Sequence, residues 1–271
     1  MSRTSEEGGG GAVPAPADTL LQLHNISKTF YDGREPVHAL EGLSLAAHKG
    51  EFVVLIGPSG SGKSTIFNLI TGLLRPDAGD IRLDGRSIVG QTGLVGYMPQ
   101  RDLLLPWRTV LDNVILGPEL AHRPRKEARE RARAMLPRFG LEGFGDVYPA
   151  ALSGGMRQRA ALLRTFLCER DVLLLDEPFG ALDALTRRDL QRWLLDVWLE
   201  FRPTVLFITH DIQEAVYLAD RVLVLSPRPG HVMLEVPVRL PRPRRVVDEA
   251  FVALEGRLLA ALGQGDGATA R

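Results

Sequence analysis

Six short runs of hydrophobic residues along the chain predict β-strands. Two of them, at 20–26 and 43–46, are separated by a polar turn at Asp32-Gly33 and indicate an antiparallel pair. The other four are apolar at almost every position, which is typical of strands buried on both faces of a parallel sheet. They lie at 52–56, 172–175, 205–208 and 222–225. The pattern therefore predicts an α/β protein whose first part forms a different kind of sheet.

Between these strands, apolar residues recur at helical spacing. They follow residue 63 on one face of a predicted helix, and a second amphipathic helix is predicted at 189–199. The region from about 100 to 152 contains no convincing strand. Its segment 124–139 has a helical period of apolar residues, namely Ala128, Ala132, Met135 and Phe139. We interpret this region as a helical lobe inserted into the α/β core.

The sequence GPSGSGKST at 57–65 lies between the strand at 52–56 and the first predicted helix. Its glycines allow backbone N–H groups to turn inward onto phosphate oxygens, and the helix N-terminus favours an anion. Lys63 would reach the β- and γ-phosphates, and the Ser64 hydroxyl would ligate Mg²⁺. The pattern predicts a nucleoside triphosphate site formed by Gly57, Pro58, Ser59, Gly60, Ser61, Gly62, Lys63, Ser64 and Thr65.

The composition narrows the classes of function. The chain has 271 residues, 45% of them hydrophobic, as in ordinary globular proteins. Lys plus Arg and Asp plus Glu each total 33, so no net field would recruit nucleic acid or an anionic membrane. No stretch approaches about 18 uninterrupted apolar residues, so no membrane span is predicted. The single cysteine, Cys168, lies in an apolar helical stretch and is interpreted as a buried structural thiol.

Two arginine-rich segments allow alternative interpretations. The basic run at 123–138 could be a nucleic-acid patch, but Glu127 and Glu130 interrupt it and no aromatic residues are interleaved, which favours a solvated helix face. After residue 236, helical spacing predicts a C-terminal helix packed on the body, through Phe251, Leu254, Leu258 and Leu262. Lipid headgroups are the alternative contact for three arginines in this tail, Arg242, Arg244 and Arg245.

Polar residues follow two of the predicted parallel strands. Asp176 and Glu177 come directly after the strand at 172–175, at the strand end where ligands bind in open α/β sheets. Asp176 would hold Mg²⁺ through water, and Glu177 would polarise the attacking water beside the γ-phosphate. His210 follows the strand at 205–208; taken alone, a histidine at such a position is more often structural than catalytic.

Five motifs occur in one order, and in them the chain resembles the ATP-binding subunits of ABC transporters. They are the phosphate loop from Gly57, Gln100 at the end of LVGYMPQ, LSGGMRQR from Leu152, VLLLDEP ending at Pro178, and His210 in FITHD. The resemblance extends from about residue 20 to 240. It implies a P-loop NTPase core of the RecA-like type, with an N-terminal antiparallel β subdomain and an inserted helical subdomain. The implied divisions are a disordered tail (1–18), the ATP-binding domain (19–245, helical lobe about 100–155), a C-terminal helix (246–263) and a second disordered tail (264–271).

The resemblance also implies roles for single residues around ATP and Mg²⁺. His210 would bond the γ-phosphate, and the Gln100 amide would ligate Mg²⁺ or position water. Phe30 would stack on adenine, with Tyr31 as the alternative. The turn of Ser153, Gly154 and Gly155 would complete the ATP site of a second copy in a head-to-tail dimer, and Asp183 would couple the two sites. Met156 departs from the Gln of many relatives and cannot supply an amide hydrogen bond.

The segment after Gln100 contains an apolar run with Leu105 and Trp107. It is either core or an exposed docking surface, because Trp is enriched at interface hot spots. In the resembled family this lobe receives a short helix from a transmembrane permease subunit. The segments LLPWRTVLDNV, LSGGMRQR and FGALDALTR are similar in sequence to those of the importer branch for nitrate, aliphatic sulfonates and taurine. This branch also includes relatives for pyrimidine vitamin precursors and riboflavin.

The preferred interpretation is an ATPase that powers solute import as a homodimer at the cytoplasmic face of the membrane, peripherally. Permease subunits would be its direct partners, an extracytoplasmic solute-binding protein an indirect one, and nucleic acid is not expected. The alternative is a soluble ABC-type ATPase that acts as an assembly factor without a membrane partner. DNA-repair or translation ATPases and exporters are less favoured, because the sequence has no coiled-coil heptads, no second cassette and no fused membrane helices.

Overall fold

Two β-sheets organise the residues that this computed structural model describes, which are 18–31, 33, 35–180 and 182–266. The strands are β1 Thr19–Tyr31, β2 Pro36–His48, β3 Phe52–Ile56, β4 Ala78–Leu83, β5 Arg86–Ser87, β6 Gly96–Met98, β7 Val172–Asp176, β8 Thr204–Ile208, β9 Arg221–Leu225 and β10 Val232–Pro237. The first sheet is antiparallel with the order β2-β1-β4-β5. The second has the order β10-β9-β3-β8-β7-β6 and is parallel except for β10. The antiparallel first part and the parallel core that the sequence predicts are both confirmed.

The helices cover the sheets and form a lobe. They are α1 Lys63–Ile70, α2 Val110–Val114, α3 Leu116–Leu120, α4 Arg125–Met135, α5 Gly154–Phe166, α6 Ala184–Phe201, α7 Ile212–Leu218 and α8 Glu249–Asp266. In the described part of the chain, no strand occurs between β6 and β7, and α2 to α5 occupy this interval.

The parallel sheet divides the hydrophobic core into two layers. All five residues of β3 are buried, and they alternate between the layers because successive side chains of a strand point to opposite faces. Phe52 and Val54 belong to the layer that contains the helical lobe, where the Phe52 ring meets Trp198 edge-on at 5.6 Å. Val53 and Leu55 belong to the layer shared with α1 and the antiparallel sheet. Burial on both faces explains the uninterrupted apolar runs.

The hydrophobic runs do not predict β4, β5 and β10. Strand β4 is half polar, and its antiparallel pairing with β1 supplies the order that its sequence does not signal. Strand β10 lies at the edge of the parallel sheet, and five of its six residues are only partly buried or exposed. An edge strand needs few apolar residues, so no continuous run marks it.

The basic segment of the lobe is largely paired with carboxylates. Arg125 and Arg129 contact Asp112 in α2, and Arg123 and Arg131 contact Glu169 after α5. These pairs attach α4 to its neighbours.

The lone thiol, Cys168, is half-buried, where the sequence predicts full burial. Its Sγ lies 3.5 Å from the Arg164 carbonyl oxygen, and burial raises the pKa of this thiol. A raised pKa disfavours the reactive thiolate.

Two of the three arginines before the C-terminal helix bind groups within the fold. Arg244 is buried and donates hydrogen bonds to carbonyl oxygens at the end of α7, including Val216 and Ala219 at 2.7 and 2.6 Å. Burial among these groups lowers the pKa of Arg244 to about 10. Arg242 pairs with Asp220 at 2.6 Å. The lipid alternative is therefore wrong for these two arginines.

Helix α8 packs on the body through Phe251 and Leu258, which are both fully buried. It spans Glu249–Asp266, so it begins and ends three residues later than the predicted helix at 246–263. The remainder of the two predicted tails, residues 1–17 and 267–271, lies outside the described residues.

Candidate functional site

The parallel register brings four of the predicted motifs to one edge of the sheet. Strands β3, β8, β7 and β6 are consecutive neighbours, and each continues into one motif at its carboxyl end. Asp176 pairs with Ile208, and Leu175 pairs with Met98. Consequently Glu177, His210 and Gln100, each one or two residues beyond these positions, meet beside the phosphate loop.

The phosphate loop surrounds its own lysine. The Lys63 ammonium donates hydrogen bonds to the carbonyl oxygens of Gly57 and Pro58, at 2.8 and 2.9 Å. Burial lowers the pKa of Lys63, while the carboxylates of Glu177 and Asp176 oppose that shift. Lys63 lies in the wall of a cavity of about 430 Å³, lined by Val37, Ala39, Ser59, Gly60, Gly62, Lys63, Ser64, Thr65, Glu177 and Arg228.

Two glycines of this loop are required by its packing. Gly62 has φ +86°, and a Cβ there would lie 2.6 Å from Leu40 Cδ2. At Gly57 a Cβ would lie 2.9 Å from Ser61 Oγ and 3.0 Å from Leu225 Cβ. The loop therefore needs glycine both for its left-handed turn and for its contact with β2 and β9.

Asp176 is buried at the end of β7, and the Ser64 side chain is close enough to influence its pKa. Burial raises the pKa of Asp176, the Ser64 side chain and the charge of Lys63 lower it, and Glu177 raises it further. A divalent cation here would favour the ionised carboxylate. One hydroxyl and one carboxylate, supplemented by phosphate oxygens and water, form the donor set that Mg²⁺ usually takes. Ser64 and Asp176 thus fit the predicted metal.

Glu177 is the centre of a polar cluster. Its Oε2 lies 3.2 Å from Gln100 Nε2, which donates to it, and 3.3 Å from His210 Nδ1. The Glu177 backbone has φ +45°, an uncommon conformation for a residue other than glycine, and is held by its N–H bond to the Ile208 carbonyl. Such strained positions cluster at active sites. The arrangement can hold a water molecule next to a carboxylate.

The choice between Phe30 and Tyr31 depends on strand alternation. Phe30 pairs with Val37, which lines the cavity, so the two side chains share a face of the sheet. Tyr31 pairs with Pro36, belongs to the opposite face and is 80% exposed. This register favours Phe30 as the aromatic residue beside the cavity, although Phe30 itself is not in the cavity wall.

The turn at Ser153 opens α5 away from this cavity. The Ser153 hydroxyl accepts a hydrogen bond from the Met156 N–H at 3.3 Å, and Ser153 is exposed. Asp183 caps α6 in the same way, accepting from the N–H groups of Leu185 and Thr186, and is also exposed. Within the described residues, neither residue lines the cavity of the phosphate loop.

Trp107 is 71% exposed, so it does not belong to the core. Two residues that the sequence did not indicate, Asn113 and Arg164, hold the loop around it. Trp107 lies in a loop that the buried Asn113 holds: the Asn113 amide donates to the carbonyl oxygens of Leu105, Arg108 and Thr109 at 3.0–3.1 Å. Arg164 in α5 donates to the carbonyl oxygens of 102 and 103 at 2.5 and 2.7 Å.

Arg228 is a further residue that the motifs did not indicate. It lines the cavity from the loop after β9. Its position directly after the apolar run of β9 is the signal that could have indicated it, because β9 is the neighbour of β3 and the carboxyl end of β9 therefore lies beside the phosphate loop. Without the strand order, that neighbourhood could not be inferred.

Among the described residues, none of the helices combines the length and the apolar character needed to cross a bilayer.

Known proteins resemble the chain in sequence and structure. It is 47% identical over 219 residues to the formylaminopyrimidine import ATP-binding protein ThiZ of Halalkalibacterium halodurans, which covers 81% of this chain and 84% of that protein. It is 42% identical over 221 residues to the nitrate import ATP-binding protein NrtD of Synechocystis, covering 82% and 83%. The ATP-binding cassette MJ0796, a dimer in a post-hydrolysis state bound to ADP and Pi, matches with a TM-score of 0.70 and 32% identity, over 82% of this chain and 100% of that one.

The family model described as ABC transporter matches residues 40–180, which include the phosphate loop, Gln100, the Ser153 turn and Glu177. The chain therefore belongs to the ABC transporter family, as one of its ATP-binding and ATP-hydrolysing subunits.

Proposed function

We propose that this chain powers solute import by hydrolysing ATP at the edge of its parallel sheet, with Glu177 as the base. The observation that carries this proposal is the convergence of Gln100 and His210 on the Glu177 carboxylate, next to the cavity that Lys63 lines. Glu177 accepts a proton from the attacking water, and Gln100 and His210 fix that water and the γ-phosphate. The loop residues 57–65 hold the phosphates through backbone N–H groups and Lys63.

We propose Mg²⁺ as the cofactor of this reaction. Ser64 and Asp176 would hold it, with the Gln100 amide oxygen as a further ligand. When bound, it neutralises charge on the β- and γ-phosphates. Phe30 packs on adenine, since its face of the sheet is that of Val37. We assign the ATP-binding domain to 19–245, with its helical lobe at about 100–155.

We infer that two copies of the chain share each ATP site. Ser153, Gly154 and Gly155 lie at the start of a helix of 13 residues, where the first N–H groups have no partner within the helix, yet they lie apart from the cavity of their own chain. In a head-to-tail dimer they would face the γ-phosphate bound by the second copy, and Asp183 would lie at the interface. The dimeric cassette that resembles this fold supports the arrangement.

A mixture of two inactive variants tests this sharing. Ser153→Arg blocks the helix N-terminus, and Lys63→Ala disables the phosphate loop, so each homodimer should be inactive. In a mixed dimer, one site combines the intact loop of the first variant with the intact turn of the second. An equal mixture should recover about one quarter of wild-type turnover, because about half the dimers are mixed and each has one of two sites. Phosphate release measures this, and a mixture as inactive as its components would contradict sharing.

The exposed loop at Trp107 is proposed as the docking surface for a transmembrane permease subunit, with the partly buried Leu105 as a second docking residue of the same loop. Asn113 fixes the loop, and Arg164 connects its start to α5, the helix that begins at Ser153. Closure of the dimer around ATP would therefore move the docking surface. We propose accordingly that the protein lies peripherally at the cytoplasmic face of the membrane, with the extracytoplasmic solute-binding protein as an indirect partner.

Trp107→Ala should weaken permease binding roughly 30-fold, the loss typical of a hot-spot residue of about 2 kcal/mol. ATP affinity should stay unchanged, since Trp107 does not line the cavity. The measurement is recovery of membrane subunits with the tagged chain from gently solubilised native membranes. Leu259→Ala, at an apolar position of α8 that is 62% exposed, is the matched control. Equal recovery by the two variants would refute the docking assignment.

The solute itself is proposed to be nitrate, an aliphatic sulfonate, taurine or a related small organic compound such as an aminopyrimidine. The names of the nitrate and formylaminopyrimidine relatives support this range. The same co-purification, followed by a ligand assay on the associated solute-binding protein, tests it. Recovery of soluble partners alone would favour an assembly factor over an importer.

A further inference from the structure

The wall of the ATP cavity includes a cation that belongs to none of the five motifs. Arg228 lies in the loop between β9 and β10, and its side chain lines the same cavity as Lys63 and Ser64. Arg228 Nη2 is 3.5 Å from the point that a Cβ would occupy on Gly60, in the middle of the phosphate loop. The guanidinium is therefore positioned beside backbone groups that bind phosphate.

Hydrogen bonds within the loop that carries Arg228, and one from this loop to β2, hold it in place. Within the loop, the Ser226 N–H donates to the His231 carbonyl oxygen at 2.9 Å, and the Ser226 hydroxyl donates to the Pro229 carbonyl oxygen at 2.9 Å. Outward, the Gly230 N–H donates to the Ala39 carbonyl oxygen at 2.9 Å. These bonds attach the loop to β2.

Gly230 also brings the loop against the phosphate loop. A Cβ at this position would clash with the Ser61 carbonyl oxygen, so only glycine permits this contact. Since Ser61 is itself fully buried, the contact is part of the packed core of the site. The segment that carries Arg228 is thus fixed against the phosphate loop through Gly230.

Arg228 also differs from two arginines of the same region in that they are paired with carboxylates. Arg221, at the start of β9, pairs with Glu51 and Glu235, and Arg242 pairs with Asp220. For Arg228, the described residues provide no carboxylate within 4 Å. An exposed guanidinium beside an anion-binding loop is suited to a phosphate, because its planar N–H groups match two phosphate oxygens at once.

We propose that Arg228 binds the polyphosphate chain of ATP and ADP and so raises nucleotide affinity, as a binding residue additional to the phosphate loop. The proposal rests on the ATP site proposed above and adds a positive charge to it from outside the motifs. Its contribution is to binding, so it acts in the ground state and the transition state alike and chiefly affects KM.

The test compares Arg228→Gln with Arg228→Lys and with Arg239→Gln, a control at an exposed arginine beyond β10. Calorimetric titration with ATP, ADP and AMP gives the affinities. Arg228→Gln should bind ATP and ADP about tenfold more weakly, the loss of one charge-assisted hydrogen bond, and AMP within about twofold of wild type. Arg228→Lys should recover part of the loss because the charge is kept, and Arg239→Gln should match wild type.

Steady-state kinetics and thermal unfolding complete the test. For Arg228→Gln, KM for ATP should rise with Kd while kcat stays within about twofold of wild type, and the nucleotide-free Tm should not change because Arg228 is exposed. ATP affinity equal to wild type would overturn the proposal, and so would an equal loss for AMP, which would place the guanidinium on the ribose or the base. Lys63→Ala, measured alongside, separates the two proposals: if it weakens ATP binding while Arg228→Gln does not, the ATP site remains and only the role of Arg228 fails.

Discussion

Glu177→Gln should reduce ATP turnover by about 10²- to 10⁴-fold, the range that a general base contributes. The amide is nearly the same size as the carboxylate and can still contact Gln100 and His210, so the site should keep its shape. It has no proton-accepting charge, however, and cannot activate water. Phosphate release at saturating ATP measures this loss.

The same substitution should stabilise an ATP-bound dimer, because the closed state forms but hydrolysis no longer reopens it. Size-exclusion chromatography with light scattering, with ATP and Mg²⁺ in the buffer, measures the mass. Glu142→Gln in the helical lobe is the control, since Glu142 is exposed and lies outside the cavity wall. Unchanged turnover would exclude Glu177 as the base, and a monomer in the presence of ATP would contradict the dimer.

Lys63→Ala should reduce turnover by about 10²- to 10³-fold, similar to the removal of one preorganised donor from a charge-stabilising site. The Lys63 ammonium contacts the carbonyl oxygens of Gly57 and Pro58, so its removal also takes away bonds that shape the loop. Two carboxylates, Asp176 and Glu177, would then lie near the phosphates with one fewer cation. We therefore expect ATP binding to weaken as well.

Measuring ATP affinity together with turnover distinguishes the role of Lys63 from that of Glu177. Glu177→Gln should lose turnover and keep ATP affinity, whereas Lys63→Ala should lose both. Fluorescent ATP-analogue binding and phosphate release, measured on the same preparations, give the two quantities. Lys126→Ala, at an exposed lysine of α4, is the control for loss of positive charge. Near-normal turnover by Lys63→Ala would refute the assignment of the phosphate loop.

The local sequence predicts the elements that are buried on both faces and the loop that binds phosphate. Strand β3 is apolar throughout because both of its faces are covered, and its five residues are therefore recognisable without any knowledge of the neighbours. The loop at 57–65 is recognisable for a related reason: phosphate binding there depends on glycines and a lysine at fixed spacing, which is local chemistry. The motif order added the family, through Gln100, Ser153 and His210.

Other elements depend on their neighbours, and the local sequence does not reveal them. Strand β4 forms because β1 pairs with it, and β10 forms at an edge where few apolar residues are needed. The exposure of Trp107 depends on a loop that Asn113, six residues further along, holds through its hydrogen bonds, and no hydrophobicity pattern distinguishes that exposed ring from a buried one.

By itself, then, the sequence determined the α/β class, the phosphate loop, the acidic pair at the end of β7 and the family, because each is encoded in short contiguous motifs or in the order of those motifs. Only the tertiary structure decided which side chains meet. It brought Gln100, Glu177 and His210 together through the parallel register, placed Phe30 rather than Tyr31 on the face of Val37, and brought Arg228 to the phosphate loop. The physical reason is that these residues lie up to 168 positions apart in the sequence (228 − 60, for Gly60 and Arg228), and strand order, which no local pattern contains, sets the distance between them.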